Sequence, residues 1–75
     1  MVSTHTPHAA RAIAPIVFTA RDGHVRTVPV GPCLIEEVED DRVLVVWGKA
    51  GDKSALMPAT EAERARRDGI LLLLD

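Results

Sequence analysis

Tyrosine is absent from this chain of 75 residues, and phenylalanine, tryptophan and cysteine occur once each. A single thiol, Cys33, cannot close an internal bridge, which excludes a disulfide-stapled scaffold and a cysteine-rich zinc module alike. A reducing, cytoplasmic setting is therefore expected. The longest unbroken apolar runs, Val43–Trp47 and Ile70–Leu74, are five residues each, whereas a membrane-spanning helix needs about 20. No membrane partner is expected. Residues 1–14 hold no apolar stretch long enough for the core of a secretory leader. Net charge is −2, from nine Lys and Arg against 11 Asp and Glu. With only Trp47 and Phe18 available for base stacking, nucleic acid is not an expected partner either.

What is present describes one small folded domain. Hydrophobic residues make up 47% of the chain and charged residues 27%, too apolar and too nearly neutral for a disordered segment. A chain this short buries a small core, and without a disulfide or metal it gains most from pairing with a second copy. A homo-oligomer, dimer or higher, is the expected state.

Residues 1–14, with His5, Pro7, His8, Arg11 and interspersed alanines, read as a flexible N-terminal arm, with at most one helical turn at Ala9–Ile13 that Pro15 stops. The domain proper then covers residues 15–75. Ile16, Phe18 and Ala20 alternate with Val17, Thr19 and Arg21 as a strand, and Asp22-Gly23 supplies the positive-φ pair of a two-residue hairpin. His24–Val30 returns antiparallel, with Pro29 forcing an edge or bulge at its end. Cys33–Glu39 is the next strand, Asp40-Asp41 an acidic turn, and Val43–Trp47 a strand without a polar break. Gly48–Asp52 is a loop and Lys53–Met57 a short strand. Thr60 and Glu63 have the spacing of a capping box, which predicts a helix that Gly69 ends. Ile70–Leu74 then has room only for a last strand.

A strand presents alternate residues to opposite faces, so the two five-residue apolar runs are greasy on both sides. One small sheet cannot cover both. Either the sheet curls and the helix and arm cover its outside, or a second subunit does.

From Gly31 onward the order is strand, acidic hairpin, strand ending in Trp47, glycine-containing turn, short strand, Pro58, helical turn and terminal strand. This order resembles a Src-homology-3-like small barrel. The expected fold is thus mostly β, a small barrel of that kind or a rolled antiparallel sheet of five to six strands, with one short helix before the last. The proline-peptide-binding members of that class line their groove with several Tyr and Trp, for which this chain offers Trp47 alone. The short type II dihydrofolate reductases are barrels of this sort that share one pore among four subunits. Their active strand is similar to Ser54-Ala55-Leu56-Met57-Pro58 in its Ser and Pro, while its Gln and Tyr have no counterpart here. That resemblance implies, as an alternative function, a pore-sharing oligomeric enzyme with Ser54–Met57 at the shared site.

Among residues able to carry chemistry, Cys33 follows a Gly-Pro turn, but a lone cysteine at a strand start is usually a small buried hydrophobe. His5 and His8 are too few for a metal site, so no metal and no cofactor are expected. Glu36, Glu37, Glu39, Asp40 and Asp41 read as a solvated, like-charged hairpin. Arg64, Arg66 and Arg67 form a possible basic patch, for a nucleic-acid accessory role, or simply oppose the helix dipole. Val43, Val45, Trp47, Leu72 and Leu74 are the candidates for a subunit or protein-partner interface, and Trp47 is equally suited to the core. No residue is a candidate for catalysis. The function expected from these features is a non-enzymatic interaction or regulatory module.

Overall fold

The alternating apolar residues from Ile16 onward do form strands, and one more strand precedes them. The computed structural model describes residues 7–39 and 41–74, with strands β1 (His8–Ala12), β2 (Ile16–Thr19), β3 (Val25–Val28), β4 (Gly31–Glu39), β5 (Arg42–Trp47), β6 (Lys53–Pro58) and β7 (Leu71–Leu73). Helix α1 (Ala59–Arg67) lies between β6 and β7. The protein is mostly β, with its helix before the last strand. Five strands form an antiparallel sheet in the order β6-β5-β4-β1-β7, and β2 with β3 form a separate two-stranded sheet. Among the described residues β6 and β7 remain the two edges, so the sheet is open and no barrel closes. No helix among the described residues is long and apolar enough to cross a membrane.

The flexible-arm expectation for residues 1–14 is corrected at β1, while residues 1–6 lie outside the described residues. His8–Ala12 is a strand inserted between β4 and β7, with Ala10 opposite both Cys33 and Leu73. Alanine favours helix in isolation, but pairing on both flanks supplies backbone hydrogen bonds that local propensity cannot outweigh. Ala10 and Ala12 are fully buried, and their small side chains leave space above them for the layer that covers the sheet.

Cross-strand register sorts the five-stranded sheet into two faces. Ile35 opposes Val45, which opposes Ala55, and Val43 opposes Met57. These residues, with Cys33 and Leu71, are buried beneath Ala62 and Ala65 of α1 and beneath Ile16, Phe18 and Val28 of the hairpin. The spacing of Ala62 and Ala65 puts both on one side of the helix.

Two local expectations are also corrected. The hairpin tip is a three-residue loop, not a two-residue one. Gly23 N–H bonds the Ala20 carbonyl at 2.9 Å, Ala20 N–H bonds the His24 carbonyl at 2.8 Å, and only Gly23, at φ 89°, is left-handed. This is a type I turn followed by a glycine bulge, in which Asp22 keeps a negative φ. The capping box does not form: α1 begins at Ala59, no side chain caps it, and the Ala59 N–H instead donates to the Asp41 carbonyl at 2.8 Å. A backbone acceptor from the β4–β5 turn thus satisfies one free donor at the helix start, a different one from the Glu63 N–H that a Thr60 cap would have served. The helix stop is as expected. Gly69 is left-handed at φ 79°, with Gly69 N–H bonding Arg66 O at 3.1 Å and Ile70 N–H bonding Ala65 O at 3.0 Å.

Candidate interaction surface

Among the described residues no buried layer covers the opposite side of the same sheet, which the hairpin tip borders only at Leu44 and Leu56. Leu34 pairs with Val46 and with Ala9, Leu44 pairs with Leu56 and with Glu36, and Leu72 pairs with Arg11, so these residues share one face. Leu34 is 45% exposed, Leu56 42% and Leu72 42%, while Leu44 and Val46 are half-buried. Charge on this face is mixed: Arg11, Glu36 and, two residues before Leu44 in β5, Arg42 sit among the aliphatics. Leu74, beyond the end of β7, is exposed as well and bonds back to β1 through its N–H and the Ala9 carbonyl at 2.8 Å.

The expected interface residues therefore divide between the two faces. Val43 and Val45 are buried at 6% and 1% exposure within the chain's own core, so they present nothing to a second molecule. Leu72 and Leu74 are exposed. Trp47 combines both readings, because it packs on the core and also lines a shallow cleft with Pro29, Val30 and Pro32. Leu34, Leu44, Val46 and Leu56 complete the open face and were not singled out from sequence. Their signal was present in the two-sided greasiness of β5, but only the position of α1 decides which side stays open.

The three arginines of the possible basic patch do not gather. Arg66 and Arg67 line a groove along β7 with Glu63. Arg64 lies by Ile16, Val17 and Asp68, with its guanidinium 3.9 Å from the Glu61 carboxylate. The ladder of the acidic hairpin is irregular, since the β4–β5 register shifts between Glu37 and Glu39. Asp40 lies outside the described residues.

Cys33 is buried opposite Trp47, and burial pushes its thiol pKa up. That is the reverse of what a nucleophile requires. His8 is in β1, His24 is at the hairpin tip, and His5 lies outside the described residues. His24 is bound locally: its backbone N–H donates to Asp22 Oδ1 at 3.0 Å and its Nδ1 stands 3.0 Å from Asp22 Oδ2. These bonds, with smaller contributions from the charges of His24 and Arg26, hold the Asp22 carboxyl below the usual aspartate range. Of the Ser54–Met57 stretch, Ser54 and Leu56 face outward, whereas Ala55 and Met57 are buried.

No family model, no curated protein and no solved structure matches this chain. The surface itself therefore carries the functional argument.

Proposed function

We propose that the chain is a non-enzymatic interaction module that works as a homo-oligomer, with the open face of the five-stranded sheet as its subunit contact. The observation that carries this reading is the co-location of Leu34, Leu56 and Leu72, each more than two-fifths exposed, on one side of the sheet. Helix α1 and the buried hairpin residues Ile16, Phe18 and Val28 are engaged on the other side. An exposed aliphatic standing alone is ordinary, but these three stand on alternate strands, with half-buried Leu44 and Val46 of β5 joining Leu56 to Leu34, and an apolar area of that extent marks an interface. A second copy suits this face because Arg11 and Glu36 give it both charge signs, so a two-fold contact can be self-complementary. Covering it also adds the apolar burial that a small domain lacks.

Sedimentation equilibrium at micromolar concentration tests the reading. The wild-type chain is expected at a dimer mass or above, and Leu34→Asp at the monomer mass of 8.1 kDa with an unchanged circular dichroism spectrum. A wild-type chain that stays monomeric up to its solubility limit overturns the proposal.

A further inference from the structure

The tip of the β2–β3 hairpin stands beside β6, and a cleft of about 420 Å³ lies between them. Leu44, Leu56, Pro58 and Ala20 give it an apolar floor, and Arg21, Arg26 and Arg42 stand around it. The cleft falls within the volume range of small-molecule sites, and an apolar floor with a few convergent polar groups is their usual make-up. Among the described residues Asp22 is the only carboxylate in the lining. It is already engaged by His24 through both oxygens, with Arg26 Nη2 4.0 Å away. Without counting Arg42, Arg21 and Arg26 against one occupied carboxylate give the described lining a positive balance in a chain whose net charge is −2.

We propose that this cleft binds a small amphipathic anion, with the apolar body on Leu44 and Leu56 and the anionic head toward Arg21 and Arg26. Guanidinium forks match the paired oxygens of a carboxylate or phosphate, and such charge-assisted bonds gain strength beside an apolar floor that excludes water. Arg42 makes a further interaction of its own, so the head group is assigned to the two hairpin arginines. The β2–β3 hairpin brings those arginines, distant in sequence from Leu44 and Leu56, to the side of β6 where both leucines line the cleft. The cleft is built from one chain, but its floor, Leu44 and Leu56, belongs to the face assigned above to self-association. A second copy would therefore compete with the ligand there, and the titrations below are run on the Leu34→Asp chain as well as on the wild type.

The probes are decanoate, decyl phosphate and the neutral decanol, each titrated below its micelle concentration into ¹⁵N-labelled protein. Decanoate or decyl phosphate is expected to give saturable shifts at Ala20–Arg26 and at Leu44 and Leu56, weakened by added salt. The Arg21→Gln/Arg26→Gln double variant is expected to raise Kd by about tenfold or more, and Arg66→Gln/Arg67→Gln to leave it unchanged. The substituted side chains are exposed, so the fold is expected to persist, and the amide spectrum reports this directly. Which of the two anions binds more tightly identifies the head group. Equal affinity for decanol, an unchanged Kd in the hairpin double variant, shifts confined to Leu34 and Leu72, or no saturation with either anion each overturns the proposal.

Discussion

Leu56 and Met57 are neighbours in β6 and lie on opposite sides of the sheet, Leu56 at 42% exposure and Met57 at 0%. Met57 is among the largest fully buried side chains and sits opposite Val43 beneath the covering layer. Met57→Ala is expected to cost about 2–5 kcal/mol, through lost burial and the cavity left behind. That is comparable with the whole stability of a small domain. Leu56→Ala is expected to cost under about 1 kcal/mol. Thermal melting of the two variants checks the asymmetry, and equal losses would contradict the assigned faces.

The same logic separates two charge insertions. Val45→Asp places a carboxylate in the core without a partner and is expected to abolish the folded circular dichroism signal. Leu72→Asp places one on the open face and is expected to leave the signal intact while lowering the sedimenting mass to that of a monomer. A folded Val45→Asp chain would mean that β5 has been assigned the wrong inner side.

Acid is expected to loosen the hairpin tip before it affects the core. The folded-state pKa of Asp22 is lowered, first by its hydrogen bonds to His24. Its contribution is therefore fully present above the unfolded value, about 3.9, and is lost as pH falls through the lower folded value. NMR titration of the Asp22 carboxyl should give a midpoint below that of free aspartate, with the His24 amide shift following it. Asp22→Asn should abolish that step, and an Asp22 midpoint at or above the free value would sink the assignment.

Cys33 is expected to be protected in the folded chain. Its thiol is buried and its pKa raised by desolvation, so the thiolate fraction at neutral pH is smaller than that of free cysteine. Iodoacetamide at pH 7 should alkylate the native protein more slowly than free cysteine, with the difference vanishing in urea. A native rate equal to or above that of the free amino acid would show a reactive, accessible thiol.

Period-two alternation at β2, the unbroken apolar runs of β5 and β7, and the Gly, Pro and Asp between segments were enough to locate β2 to β7. Gly69 likewise announced the helix end through its left-handed φ. β1 was not legible, since Ala9, Ala10, Arg11 and Ala12 carry almost no strand preference. They become a strand because β4 and β7 offer backbone partners on either side, a condition no local window contains. The hairpin loop differed from expectation because the choice between two and three residues depends on where the flanking strands leave off pairing. The start of α1 differed because a carbonyl from Asp41, distant in sequence, replaced a local cap.

The candidate surfaces divide in the same way. That β5 and β7 are apolar on both flanks follows from their residues alone, since alternation sends neighbours to opposite sides. Which flank becomes core was decided by where α1 and the hairpin pack, a tertiary choice that buried Val43 and Val45 and left Leu34, Leu44 and Leu56 outside. The cleft beside β6 also exists only in the folded chain, because Arg21 and Arg26 meet Leu44 and Leu56 through long-range packing. Residue pattern alone dictates which segments must leave water. Which of their faces the described residues cover depends instead on where α1 and the hairpin pack, because that contact joins parts of the chain far apart in sequence.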